Sequence, residues 1–592
     1  MPVLDALKAF WILGVFLLTF FWLPTHLFSG RPNSPRVLRI AGNWARTVLC
    51  VTILIFLMCS LRVFGVITVV LFFLGAIAIG WFRKRGGVSR GLWTSLQATT
   101  INIMRQIESR SFNLFLLARK RASTSGRQSW GLRVNAWLRL LEGKELLGAS
   151  FIVVLGTTVV LRTEHAVREL RFDQPEEYSA LLRARELMLN IHPAGRPFVF
   201  PAMIAATSLL SGADSMQVTR FLAPAMGLLV VLATGLFIQV CARVGVAVVA
   251  VIYCLGAAAF PPARDQTGVA MSAMEKIESV FTGSPATMGA RPEFALGLLF
   301  LLLALAILAD WYRNSRGWDS LLDFTCCLLL TGIISQVLLI ILVIAAGVLL
   351  LRPMAGPFAF VMLCYGLMGW ATLSNVIIIS DEMRTILPVA AAILVGCFLA
   401  FIEAQLAARD RRKAETLLLA ACLCVAVIWF RPQRLSGRWL EYEAAARATQ
   451  EIAYRFPRQS WVVAAPVEQL AETLGLGGHE DLAGFVEKYR TQVTNPEFRF
   501  PDRREDLFIY VEKKPFQFFS REPETVSFSV LTDPTYRHYR SPGGRASLEA
   551  AALQLCENYR QYHSNANVFF ENEVLRIYHI HGQQASDSRT GQ

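Results

Sequence analysis

What most constrains this chain is the recurrence, from Phe10 to Phe430, of apolar runs long enough to cross a lipid bilayer. Hydrocarbon offers no partner to a backbone N–H or C=O, so each run must close its hydrogen bonds internally as a helix of about 20 residues. Spans are expected near 7–28, 44–61, 63–82, 146–162, 217–241, 244–260, 294–312, 321–335, 337–351, 357–379, 385–403 and 417–430. The stretch 321–351 reads either as one long helix or as two short ones turning at Gln336. Charged residues are 17% of the 592, against about a quarter in soluble domains. Beyond Arg431 the composition becomes ordinary. The expected architecture is a polytopic α-helical membrane protein of about twelve spans with a C-terminal soluble α/β domain over 431–582 and a polar tail, 583–592.

The net charge of +14 is local. Between Arg83 and Glu145 stand thirteen Lys/Arg and three Asp/Glu, an excess of +10, whereas 431–592 carries twenty basic and twenty-one acidic side chains. One basic loop beside a membrane fits anionic lipid headgroups as the counter-charge and argues against nucleic acid as a partner. The excess alternates from loop to loop. Arg31, Arg36, Arg39 and Arg46, the segment 83–145, Arg313 with Arg316, and Arg409 with Arg411, Arg412 and Lys413 share one parity and are assigned to the cytoplasm. The loop 163–216 holds seven acids against five arginines, and parity puts it outside with 261–293, 380–384 and the C-terminal domain. The domains are then an N-terminal three-helix segment (1–82), a basic cytoplasmic segment (83–145), a transmembrane core (146–430) and the soluble domain. The first run, Leu7 to Phe28, lacks a small-residue cleavage site and reads as a retained helix.

Eleven cysteines suggest no disulfide framework, because only Cys556 falls outside the apolar runs. The soluble domain must therefore rest on a packed core. Trp461-Val-Val-Ala-Ala and Leu507-Phe-Ile-Tyr-Val read as buried strands, Val467 to Leu474 and Ala546 to Tyr562 as helices, and Val568-Phe-Phe with Val574-Leu-Arg-Ile-Tyr-His as a hairpin turning around Glu571-Asn-Glu. His579 and His581 alternate along that last strand and can face one side, but no third ligand is in view and no metal site is assigned. His192 before Pro193 reads as a turn residue.

No Walker loop, HExxH, GxSxG or metal-spaced CxxC pair occurs, which argues against an ATPase, a zinc protease and a serine hydrolase. The informative stretch is the first outside loop, Arg171-Phe-Asp-Gln-Pro-Glu-Glu-Tyr-Ser-Ala-Leu-Leu-Arg-Ala-Arg-Glu-Leu, then His192-Pro-Ala-Gly-Arg-Pro. Leu181, Leu182, Leu187 and Leu189 can share a face while Arg183, Arg185 and Glu186 point away. That pattern suits a helix lying along the membrane interface, with Asp173, Glu176, Glu177 and Tyr178 above a lipid-facing groove.

The order of these parts resembles the opening of the GT-C class of membrane glycosyltransferases: a span, acidic residues near Tyr178, an interfacial helix, a Gly-x-Pro segment, a short helix and a span opening with Arg220-Phe-Leu. It looks most like the branch of dolichyl-phosphate-mannose protein mannosyltransferases and lipid A aminoarabinose transferases. Arg291-Pro-Glu-Phe-Ala-Leu and Arg384-Thr-Ile-Leu-Pro-Val-Ala-Ala-Ala agree with later family segments, over roughly residues 146 to 430. The chain departs from the family where Asp-Glu-x-x-Tyr is usual, since Asp173 stands five residues before Tyr178 and Gln174 and Pro175 hold the family positions. Arg196-Pro also replaces the common Lys-Pro-Pro.

The resemblance implies transfer of a sugar from a polyprenyl-phosphate donor to a glycan, lipid or protein acceptor, with inversion. Asp173 would be the general base, with Glu176 and Glu177 as alternatives, and Tyr178, Arg196, Arg220, Arg291 and Arg384 would bind substrate, arginine suiting a phosphate because its planar fork holds two oxygens. A divalent cation is the one cofactor left open. The implied location is a bacterial inner membrane with the C-terminal domain in the periplasm. Alternatives are a non-catalytic GT-C scaffold of an envelope or exopolysaccharide assembly, favoured by the displaced acid, and a transporter of lipid-linked sugars, disfavoured by the few ionisable residues at mid-span.

The charge pattern is testable with reporter fusions. Alkaline phosphatase joined after Tyr442 should be active and joined after Arg127 inactive; the reverse result would remove the outside-facing site.

Overall fold

The computed structural model describes residues 2–24, 35–83, 143–172, 175–191, 198–242, 245–256, 291–314, 317–351, 356–373, 383, 385–405, 440–500, 506–515 and 542–582. The described chain is mostly helical, with a small sheet near its C-terminus. In chain order the helices up to 405 are α1 (Pro2–Leu17), α2 (Arg36–Ser60), α3 (Val66–Arg83), α4 (Gly143–Arg168), α5 (Pro175–Met188), α6 (Val199–Ser211), α7 (Ser215–Ala242), α8 (Gly245–Gly256), α9 (Pro292–Arg313), α10 (Trp318–Ile334), α11 (Gln336–Leu351), α12 (Gly356–Leu373) and α13 (Thr385–Gln405). Six of the described helices, including α2, α7, α9 and α13, are long and apolar enough to cross a membrane, whereas α11 and α12 are shorter. The described part of each expected span from 7–28 to 385–403 falls mainly on helix. The run 417–430 and nearly all of the basic segment lie outside the described residues.

Helix α9 is the centre of the bundle. Its sequence, Phe294-Ala-Leu-Gly-Leu-Leu-Phe-Leu-Leu-Leu-Ala-Leu-Ala-Ile-Leu-Ala, is apolar all round, and every one of these residues is buried. A helix with no polar face can satisfy itself only by being surrounded, and here α2, α7, α10 and α11 pack around it. Gly297 allows the close approach, since a Cβ there would lie 2.9 Å from both Ile334 and Leu338. Those two residues flank the break at Ser335, which has extended backbone and separates α10 from α11. Two short helices turning beside Gln336 are thus what forms. Four buried hydroxyls within the bundle return to their own helix, Thr158 to the Val154 carbonyl, Thr219 to Ser215, Thr234 to Val230 and Thr331 to Cys327.

Polar ties sort the bundle into two ends. At one end Arg46 on α2 meets Asp323 at 2.5 Å and the Asp319 carbonyl at 3.0 Å on α10, and Arg313 reaches the Val240 carbonyl at the foot of α7. At the other end Asp5 meets Arg220, the Trp11 indole donates to the Ser211 carbonyl, and Arg162 donates to the Leu255 carbonyl. There, too, the α2–α3 turn is held by Asn190, whose side chain accepts from the Phe64 N–H at 2.8 Å and donates to the Phe64 C=O at 3.1 Å. Asn190 sits at φ 61°, a conformation asparagine tolerates better than most residues.

The soluble domain continues with α14 (Glu443–Arg455), β1 (Trp461–Ala465), α15 (Val467–Thr473), β2 (Gly478–Asp481), α16 (Leu482–Tyr489), β3 (Asp506–Glu512), α17 (Pro542–Tyr562), β4 (Ala566–Glu571) and β5 (Leu575–Ile580). The sheet order is β2-β1-β3-β5-β4, with β1 parallel to β2 and β3, and β5 antiparallel to β3 and β4. Alternation gives each face its own core. Ala464, Leu507, Ile509, Val511 and Tyr578 pack under α16 and α17, while Trp461, Val463, Phe508, Tyr510 and Ile577 pack against α14. The expected strands and hairpin form where placed. Gly477 lets the chain pass the Trp461 ring, which a Cβ would strike at 2.5 Å.

At Gly42 on α2 a Cβ would lie 2.0 Å from an Asp323 carboxylate oxygen. Gly42→Ala should therefore push Asp323 off Arg46 and lower the melting temperature of the detergent-solubilised protein, while Gly14→Ala, with nothing within 4 Å, should leave it unchanged or raised.

Candidate functional site beside the C-terminal sheet

Helix α5 organises this end, and its sequence divides it into two working faces. Glu176, Ser179 and Arg183 stand three and four residues apart, hence on one face, and Tyr178, Leu181 and Arg185 repeat the spacing on another. The first face looks toward α9. Glu176 pairs with Arg291 at 3.2 Å, Arg183 approaches Glu293 at 3.5 Å and donates to the Ser179 hydroxyl at 3.0 Å, and the second oxygen of Glu293 accepts the Val199 N–H at the start of α6. Two carboxylates and two guanidiniums thus join α5, α6 and α9, each of them only partly exposed.

The second face carries the soluble domain. Tyr178, 1% exposed, donates its hydroxyl to the Glu441 carboxylate, which also receives the Gln469 amide. Arg185, 4% exposed, binds Asp214 at 3.1 Å and donates to the carbonyls of Glu472 and Leu474 at the end of α15. Just before α5, Glu443 accepts the N–H groups of Leu170 at 2.9 Å and Arg171 at 3.1 Å, and Arg171 donates to the Glu441 carbonyl.

This arrangement corrects the reading for two of the four leucines on the expected interfacial face, while Leu182 is half-buried and Leu189 exposed. Leu181 and Leu187 are fully buried against protein. Arg185 does not point away but inserts beneath the soluble domain. A leucine stripe records that a surface is covered, and here the cover is the rest of the chain.

Of the residues singled out from the sequence, the structure brings Glu176 and Arg291 together and places Glu177 and Tyr178 in the same turn, buried. Arg220 lies apart from that pair, 4% exposed, donating to the Ala166 carbonyl, 3.6 Å from Asp5 and over the Phe221 ring. Asp173, Arg196, Arg384 and His192 lie outside the described residues. Sequence reasoning missed Arg183, Glu293, Glu441 and Glu472. The seven-residue spacing of Glu176 and Arg183 could have given the first of these, but nothing local marks the others.

The joint between the two parts is rich in buried acid. Glu468 and Glu472, one turn apart on α15, and Glu441 are all essentially inaccessible to water. Burial pushes the Glu468 carboxyl up to about 7, with Arg545 opposing the rise. Burial also raises Glu472, and raises Glu441 well above the carboxylate range with Glu472 adding to the effect. Tyr178 is held protonated by burial and by Glu441. Around them stand Arg185, Arg545, Asp481, Glu512 and Glu549.

A carboxyl whose pKa is higher folded than unfolded stabilises the fold below its unfolded value, and that contribution disappears as pH rises through the folded value. For Glu468 the window runs from its ordinary 4.5 to about 7, a displacement worth on the order of 3 kcal/mol. Melting temperature in detergent should accordingly fall between about pH 5 and about pH 8. Glu468→Gln, neutral throughout, should flatten the profile and be the more stable form at the upper end. Equal slopes in both proteins would mean that Glu468 is not neutral in the fold.

Comparison of the chain with protein-family models, with curated proteins and with solved structures finds no match.

Proposed function

We propose that the protein is a membrane glycosyltransferase of the GT-C kind, taking a sugar from a polyprenyl-phosphate donor and giving it to an extracytoplasmic acceptor. The observation that carries this reading is the charged array of Glu176, Arg291, Arg183 and Glu293 at one end of an apolar bundle. An amphiphile with a phosphate head and a polyprenyl tail needs that juxtaposition, with guanidiniums for the head and an apolar wall for the tail.

In the proposed reaction the acceptor oxygen or nitrogen forms a bond to the anomeric carbon as the bond from that carbon to the phosphate oxygen breaks. The acceptor proton passes to Asp173, which precedes Glu176 by three residues, and the departing phosphate is stabilised by Arg291 and Arg183. Glu176 keeps Arg291 oriented until the phosphate exchanges with it. Tyr178 holds the helix in place through Glu441, Glu177 is buried beside it, and Arg220 ties α1 to α7 through Asp5.

A second reading, a catalytically silent scaffold, draws on the burial of Glu177 and Tyr178, which commits half of the acidic motif to packing. One series of variants separates the two. With a polyprenyl-phosphate-linked sugar and purified protein, Asp173→Asn should retain the lipid, as seen by native mass spectrometry, and lower transfer by about 10² to 10⁴. Arg291→Gln should weaken lipid retention itself. Asp173→Asn, Glu176→Gln and Glu177→Gln all keeping full biological function would favour the scaffold.

A further inference from the structure

Within the soluble domain, at the edge shared by β3 and β5, Asp506, His579 and His581 converge. The antiparallel register sets Phe508 opposite His579 and Leu507 opposite Ile580, so that Asp506 stands beside His581 one step further. Residues opposite one another share a face of the sheet, as do residues two apart, and all three side chains therefore emerge on one side. His579 Nε2 lies 2.9 Å from Asp506 Oδ1, and His581 Nδ1 lies 3.6 Å from the same oxygen. One donor atom from each residue falls within 4.8 Å of the other two.

The donors are held from behind. The His579 ring stacks on Phe508 at 4.4 Å and 9°, with Phe456 edge-on at 5.4 Å, and its side chain is 7% exposed. Asp506 donates its backbone N–H to the Ser460 carbonyl. The His581 N–H donates to the Asn565 carbonyl, and the Asn565 amide returns to the His581 carbonyl. The His581 side chain is 53% exposed, leaving one side of the cluster open to water.

We propose that Asp506, His579 and His581 form a binding site for a divalent transition metal of the zinc class, with water in the remaining position. Tetrahedral Zn²⁺ with bonds of about 2.0 to 2.1 Å sets its ligand atoms roughly 3.4 Å apart, and the two separations from Asp506 Oδ1 lie on either side of that value. The donor set chooses the metal. Two imidazoles and one carboxylate suit Zn²⁺ and Co²⁺, whereas Ca²⁺ and Mg²⁺ require a cage of oxygens. On binding, the His579 proton resides on Nδ1, Nε2 of His579 and Nδ1 of His581 each donate a lone pair, and any additional imidazole proton is released to water. Three protein ligands with an open fourth position are the pattern of a site that exchanges ligands rather than a closed structural one.

The test uses the full chain, purified in detergent without a histidine tag and stripped with a chelator. Calorimetric titration with Zn²⁺ should show one equivalent bound per chain, and Co²⁺ should develop the visible absorption of a low-coordinate nitrogen and oxygen site. His581→Ala removes an exposed ligand, and Asp506→Asn removes the charge while keeping an oxygen near His579. Each should weaken Zn²⁺ by about 10-fold or more and abolish the Co²⁺ spectrum, with the metal-free melting temperature of His581→Ala unchanged. Failure of the wild-type chain to take up one equivalent, or retention of wild-type affinity in both variants, would overturn the proposal.

Discussion

The buried hydrogen bond from the Tyr178 hydroxyl to the Glu441 carboxyl is central to how the C-terminal domain is seated on α5. Helix α5 connects helices of the bundle, yet its orientation is decided by the soluble domain, which grips it through Glu441 and through the carbonyls that receive Arg185. With Tyr178, Leu181 and Arg185 committed to that side, the helical repeat leaves Glu176 and Arg183 no choice but to face α9. The charged array beside Arg291 is thus a consequence of how the soluble domain is seated. Removing a partner from such a water-excluded contact costs more than the bond contributes, since the survivor is left desolvated.

The same logic explains the unusual acid content of the joint. Three glutamates under a domain are tolerable if they are largely uncharged, and the hydroxyl of Tyr178 and the amide of Gln469 are the partners Glu441 receives. A deeper pair, Arg545 with Glu512 at 2.7 and 2.8 Å, both nearly inaccessible, supplies the charge compensation behind α15. Burying so many ionisable groups contributes less to stability than an apolar core of equal volume would. It contributes geometry instead, because each group accepts only a narrow range of partners.

Much of the fold was legible in the sequence because the driving forces there are local and periodic. The apolar run of α9 was legible as a span, and Trp461-Val-Val-Ala-Ala and Leu507-Phe-Ile-Tyr-Val as buried strands, though not that α9 would be the helix the others surround. Legibility failed where periodicity is silent. Strand β2, Gly-His-Glu-Asp, has no apolar signal and forms because β1 offers an open edge. Helix α14 buries mainly alanines, Ala445 and Ala448, which reads weakly as a core face. At the candidate site the acidic motif and Arg291 were visible. The pairing of Arg185 with α15 and of Tyr178 with Glu441 spans more than two hundred residues, and no local pattern encodes it.

The direction in which the polar ties run along the chain has a consequence for synthesis. Asp5 meets Arg220, Trp11 meets Ser211, Phe64 meets Asn190, and Leu170 and Tyr178 meet Glu443 and Glu441. In each case an early residue waits for a later one. The first helices to leave the ribosome then have unfinished ends, and this end of the bundle stays uncovered until the last quarter of the chain has emerged. A ribosome stalled before Glu441 would hold an α5 that keeps its pairs with Arg291, Glu293 and Asp214 but lacks the partners that Tyr178 and Arg185 find in the C-terminal domain. Covering this end of the bundle is a late event, so that chains ended before Glu441 carry the charged array without the domain that seats α5.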